Sequence, residues 1–212
     1  MTDAPRPYRS ELRDDHARIT RRRVVSAGGE LFVERGYAAT TIDAIAEHAG
    51  VSRRTVFTSV GGKSAVLKLA FDWTLAGDDE QVPIADRPEM VQVRRTKDPA
   101  ALLAGWMAIN AAINRRLSAL YRVLVVAADA DAEAAALLAT TNDQRAEGAR
   151  EIIAQLVDLG GLKPDLEPGP AMAIADALID PSIYQRLVEV HGLTFDAYVE
   201  HLQLMATSSL LV

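Results

Sequence analysis

The chain has 212 residues, 49% of them hydrophobic and only 5% aromatic. That is enough for one large domain or a small one plus a medium one, and abundant Ala, Leu and Val favour helix over sheet. It has no cysteine, which excludes disulfides and thiolate chemistry. Its start, MTDAPRPYRS, has no apolar h-region, so no signal peptide is expected, and the chain has no run of about 18 apolar residues, so no membrane span is expected. The formal net charge of −6 is uneven: Met1 to Leu75 carries 12 Lys+Arg against 9 Asp+Glu, and the remainder 11 against 20. A mildly basic front on an acidic body suggests that only the front meets an anion.

Residues 1–19 are polar, with Pro5, Pro7, Arg6, Arg9, Arg13 and Arg18, and read as a flexible basic arm. A first helix is expected from a Thr20 cap, with Val24, Ala27, Gly28, Leu31 and Phe32 as one apolar stripe and Gly36 past its end. A second helix follows a Thr41 cap, with Asp43 in its first turn, a stripe of Ile42, Ile45, Ala46 and Ala49, and Gly50 as terminator. Ser52 caps a third, short helix, about Arg53 to Ser59, with Val56 and Val60 turned inward. Gly61 and Gly62 break the chain before a fourth helix from about Lys63 to Gly77, which closes a first domain over residues 20–77.

Residues 78–212 read as a larger helical domain. An acidic connector with prolines, residues 77–90, opens it. Asp98-Pro99 is a helix start, followed by a stripe of Leu103, Trp106, Met107, Asn110, Ile113, Asn114 and Leu117 and the apolar segment 118–128. Asp129 or Asp131 caps a long helix ending near Leu159. Glu167 to Pro170 starts another, to about Asp180. A short helix then runs to Val190 and a last one from Thr194 to about Thr207.

Two helices joined by a tight Gly-containing turn, the second short and basic, form a helix-turn-helix. Such a helix can lie in the major groove of DNA, where Arg pairs bidentately with guanine. The helix N-termini at Thr41 and Ser52 suit phosphate oxygens.

The stretch Leu31 to Leu67, with its LF…GY ending, its TT…IA..AGVS turn, and Lys63 four residues before Leu67, resembles the DNA-binding domain of TetR-family transcriptional repressors. The resemblance covers about residues 20–75. It implies an all-α fold: an N-terminal three-helix DNA-binding domain with the helix-turn-helix, then a helical effector-binding and dimerisation domain. It implies phosphate contacts by Thr41 and Lys63, and a groove face of Arg53, Arg54, Thr55, Phe57 and Thr58, next to the Ser52 cap. Arg54 stands where the family often has Gly, Phe57 where it often has Tyr and Val60 where it often has Phe, so no operator is transferred from other members. The body is expected to hold a small-molecule effector, with Trp106, Met107, Asn110, Asn114 and Tyr121 as contact candidates, and to dimerise through helices near 170–179 and 194–205.

No enzyme signature is complete. Gly61 to Ser64 ends like a phosphate-binding loop, but the required preceding glycine position is Phe57. Asp129, Asp131 and Glu133 lack the rest of a calcium loop. His16, His48, His191 and His201 have no metal-ligand spacing. The expectation is a cytoplasmic, homodimeric, ligand-responsive repressor on a palindromic operator, with no catalytic residue, metal or cofactor. The alternative is a helical ligand carrier or enzyme with a vestigial helix-turn-helix.

Overall fold

The computed structural model describes residues 8–212, with side chains from Asp14 onward. Contacts divide the chain into two compact units: residues up to Asp72 with Val123–Ala135, and Trp73–Arg122 with Ala136–Val212.

The first unit opens with helix α1, Tyr8–Ala39. This corrects the flexible arm expected over residues 8–19; residues 1–7 of that arm lie outside the described residues. No Gly or Pro interrupts the sequence from Tyr8 to Ala27, and the Thr20 hydroxyl donates to the His16 carbonyl at 2.9 Å, one turn back, instead of capping a start. Gly36, at φ 79°, ψ 163°, breaks the helix where a terminator was expected.

Helix α2 spans Ile42–Ala49; Thr41 Oγ1 accepts the Ala44 amide at 3.1 Å. Helix α3 spans Arg53–Ser59, and Ser52 Oγ accepts the Thr55 amide at 3.0 Å. Between them Gly50 adopts φ 62°, and its amide reaches the Ala46 and Glu47 carbonyls. That left-handed geometry costs a residue with a Cβ about 1–2 kcal/mol. Helix α4 spans Lys63–Ala76.

The stripes expected on the first three helices are mostly buried, with Ile42 and Val60 only half-buried. Val24, Leu31 and Phe32 of α1, Ile45 of α2, Val56 of α3, and Val66, Leu67 and Phe71 of α4 are all removed from solvent. Each contributes roughly 1.5–3 kcal/mol of burial. At Gly28 a Cβ would lie 2.2 Å from Val66 Cγ1, so α1 and α4 approach more closely than any other residue permits.

In the second unit the acidic connector is more ordered than expected. A 3₁₀ turn, Ile84–Asp86, leads into helix α5, Pro88–Arg95. Pro88 is at the start of the helix, where its missing N–H costs nothing, and Met90 is buried. Arg87 clamps Asp78 through two bonds of 2.6 and 2.9 Å, which closes the loop. Helix α6 runs through Pro99–Ala128, started by Asp98 Oδ1 accepting the Ala101 amide at 2.7 Å. Helix α7 is Ala132–Asp158, followed by Gly160 at φ 67°. Then come α8, Pro168–Leu178; α9, Pro181–Tyr184; a π-type turn, Gln185–Val190; and α10, Phe195–Leu210, capped by Thr194.

Leu102, Leu103, Met107, Leu156, Tyr198 and Leu202 belong to one continuous core, and α8 packs on α10. Arg145 bonds both Asp176 at 2.9 Å and Asp180 at 3.0 Å. β-pairing among the described residues is limited to one bridge, Leu162 to Leu211. No helix among them is long and apolar enough to cross a membrane.

Candidate nucleic-acid interface

Helix α3 is held by a single fully buried side chain, Val56, with Val51 and Val60 half-buried on either side. A seven-residue helix is too short to persist alone, so its neighbours define its geometry. Two arginines of α1 secure α3 and the turn before it: Arg21 Nε donates to the Ser59 carbonyl at the end of α3 at 3.0 Å, and Arg23 Nη2 to the carbonyl of Gly50, which ends α2, at 3.4 Å. Sequence reasoning did not single out these two arginines; the run Arg21-Arg22-Arg23 beside the first stripe was the available signal.

With Val56 turned inward, α3 presents Arg53, Arg54, Phe57 and Thr58 to solvent. Phe57 is 47% exposed, which leaves a large aromatic ring on the outer surface. Arg53 Nη1 donates to Asp43 Oδ2 at 2.6 Å, and its guanidinium sits 5.6 Å from the centre of the Phe57 ring. Arg54 has no hydrogen bond or ion pair among the described residues. Thr55 is half-buried and shares a 2.8 Å bond with Ser52 Oγ, while Thr58 Oγ1 donates to the Thr55 carbonyl at 3.2 Å. Thr41 and Ser52 are exposed at the two helix starts. Seven of the eight residues expected to meet DNA therefore lie on or directly beside α2 and α3.

The eighth, Lys63, starts α4 and has internal partners. Its Nζ donates to the Tyr37 carbonyl at 3.0 Å and stands 4.1 Å from the centre of that ring. The Tyr37 hydroxyl in turn donates to Asp131 Oδ2 at 2.7 Å. Asp131 Oδ1 accepts the Glu133 and Ala134 amides, each at 3.0 Å, at the first turn of α7. Ser64 bonds Glu133 nearby. Burial, and then the Asp131 bond, push the Tyr37 phenol above its ordinary value. The Tyr37 bond, followed by the Ala134 amide, holds the Asp131 carboxyl below the usual range. On the outer side of α2, His48 lies 3.0 Å from Glu30, and that bond, together with one from Ser26, lowers the Glu30 carboxyl.

In the second unit Trp106 and Met107 are buried in the core. Asn110 Nδ2 donates to the Trp106 carbonyl at 2.9 Å. Asn114 is buried, and its Nδ2 donates to the Ile179 carbonyl at 3.0 Å and reaches the Tyr198 hydroxyl at 3.4 Å. Tyr121 is buried, and desolvation first, then the Asp180 charge, raise its phenol. A separate open cavity of about 100 Å³ is lined by Ile84, Glu89, Met90, Ile109, Ala112, Ile113 and Arg116. Arg116 also donates to the Thr74 and Leu75 carbonyls at the end of α4, at 2.8 and 2.6 Å. No group of three or more metal-ligating side chains occurs among the described residues.

Residues 24–70 match the family model for bacterial regulatory proteins of the tetR family. The HTH-type transcriptional regulator YdeS of Bacillus subtilis (strain 168), itself uncharacterized, is 34% identical over 73 residues. That stretch is 34% of this chain and spans about a third of the relative, 35% of it. Among solved structures, NalD, the secondary repressor of the MexAB-OprM multidrug efflux pump in Pseudomonas aeruginosa, is similar with a TM-score of 0.68 and 22% identity over 93% of this chain and 98% of that one. A putative transcriptional regulator from Saccharomonospora viridis, in complex with choline, gives a TM-score of 0.71 and 18% identity, over 91% and 97% of the two chains. At these identities the structural likeness concerns the fold.

Proposed function

We propose that this protein, whose residues 24–70 match the family model for bacterial regulatory proteins of the tetR family, is a homodimeric, ligand-responsive transcriptional repressor acting in the cytoplasm. The observation that carries the reading is α3. A short helix is docked by Val56 and leaves Arg53, Arg54, Phe57 and Thr58 open to a major groove. Arg53 and Arg54 read base edges, and Phe57 meets a thymine methyl. Thr41 and Ser52 offer hydroxyls to phosphates at their helix starts, and the Lys63 ammonium approaches a phosphate from beside Tyr37.

The dimer forms through α8 and α10, which pack on each other and leave Leu204 61% exposed and Ala173 and Ala177 exposed. Two-fold symmetry then requires an operator with two inverted half-sites. An effector within the helical body lowers operator affinity only by binding the non-matching subunit arrangement more tightly.

The test is a reporter gene placed behind the DNA site that the protein selects. Expression of the protein should reduce transcription from that reporter and leave a scrambled site unaffected. Unchanged or increased transcription refutes repression.

A further inference from the structure

We infer that Asp43 is a positioning residue for base recognition, holding the Arg53 guanidinium ready for a guanine; this rests on the proposed groove-facing role of α3. Asp43 lies exposed in the first turn of α2, two residues from the exposed Thr41 cap, and its carboxylate reaches Arg53, the residue after the exposed Ser52 cap. A carboxylate there repels the phosphates expected at those caps, so it weakens binding unless it does something else for recognition. Its contact supplies that role. Asp43 Oδ2 takes Nη1 of Arg53 at 2.6 Å, while the Phe57 ring lies 5.6 Å from the guanidinium carbon. Carboxylate and ring together fix the direction of a long, flexible side chain. Nε and Nη2, adjacent on one edge, have no partner among the described residues and match the O6 and N7 acceptors of guanine. Arg54, with no such buttress, must order its side chain on binding. The two neighbouring arginines thus differ: Arg53 is set before DNA arrives, Arg54 upon arrival.

The ordinary role of Asp43 is to favour the α2 dipole, and that alone would alter stability without altering base choice. The test is therefore position-resolved. Wild type, R53A, D43A and the double variant are each used to select from a random double-stranded DNA library at fixed salt. R53A should lose about tenfold of the preference at one position of each half-site. D43A should lose about three- to tenfold at that same position, and the double variant no more than R53A alone, because the two residues act as one unit. D43A should also bind an unselected duplex as tightly as wild type or more so, since a negative charge has left the interface. If D43A loses its helical signal, D43S carries the test, since serine suits the first turn of a helix but its shorter side chain does not reach Arg53 Nη1. Wild-type preference in the folded Asp43 variant, or loss at a different position from R53A, overturns the inference. A wild-type protein that selects no sequence refutes the proposed function itself, a distinct outcome.

Discussion

Arg54→Ala separates base reading from simple attraction to DNA. The side chain is exposed near the start of α3 and makes no hydrogen bond or ion pair among the described residues. Its removal should change folding stability by less than about 0.5 kcal/mol. On DNA, a lost bidentate pair to guanine costs about 1–3 kcal/mol per half-site. A dimer carries two copies, so the full site should lose about 2–6 kcal/mol, at least roughly 30-fold in affinity. The loss should concentrate at one base position per half-site. Fluorescence anisotropy on the selected duplex and its single-base variants, at one salt concentration, measures both quantities, and thermal unfolding controls for the fold. An equal loss on every sequence, with the salt dependence reduced by about one unit per contact, would place Arg54 on a phosphate and refute base reading.

Gly28→Ala should destabilise the first unit by about 1–3 kcal/mol, because its Cβ would meet Val66 Cγ1 at 2.2 Å; Val66→Ala in the same chain should recover part of the loss in a denaturant titration. Tyr37→Phe removes the donor to Asp131 and should cost about 1 kcal/mol at neutral pH, a figure already reduced for solvent around the carboxylate. Since Asp131 is held below its ordinary value, this stabilisation is complete above the usual carboxylate range and is lost as pH falls through the lowered folded value. Stability measured against pH should therefore fall less steeply on acidification in Tyr37→Phe than in wild type. Leu204→Glu places a charge on the exposed face of α10 and should convert the dimer to monomer in sedimentation; an unchanged dimer would move the interface elsewhere.

The helix-turn-helix was legible because its signals are local. Thr41, Gly50 and Ser52 are each specified by bonds within about one turn, and Val56 by its spacing from neighbouring apolar residues. The start of α1 was obscured by Pro5, Pro7 and a run of charge, although residues 8–27 contain nothing that stops a helix. Helix α5 was hidden by an acidic stretch in which Pro88 starts a helix instead of preventing one. Long-range bonds leave no local mark: Tyr37 meets Asp131 across 94 residues, and Asn114 meets Tyr198 across 84. Two amides spaced like Asn110 and Asn114 read alike whether they face a ligand or a carbonyl. The structure gives both of them carbonyl partners. The pairing of Arg53 with Asp43 was beyond reach for the same reason, since α2's dipole already accounts for an acidic residue in its first turn.

The most direct measurement is selection of bound sequences from a random double-stranded DNA library by the purified protein at fixed, moderate salt. The account predicts an enriched inverted repeat whose half-sites are spaced for two copies of α3 in successive major grooves. A folded, dimeric protein that enriches no sequence, or enriches only a non-repeated one, would contradict it.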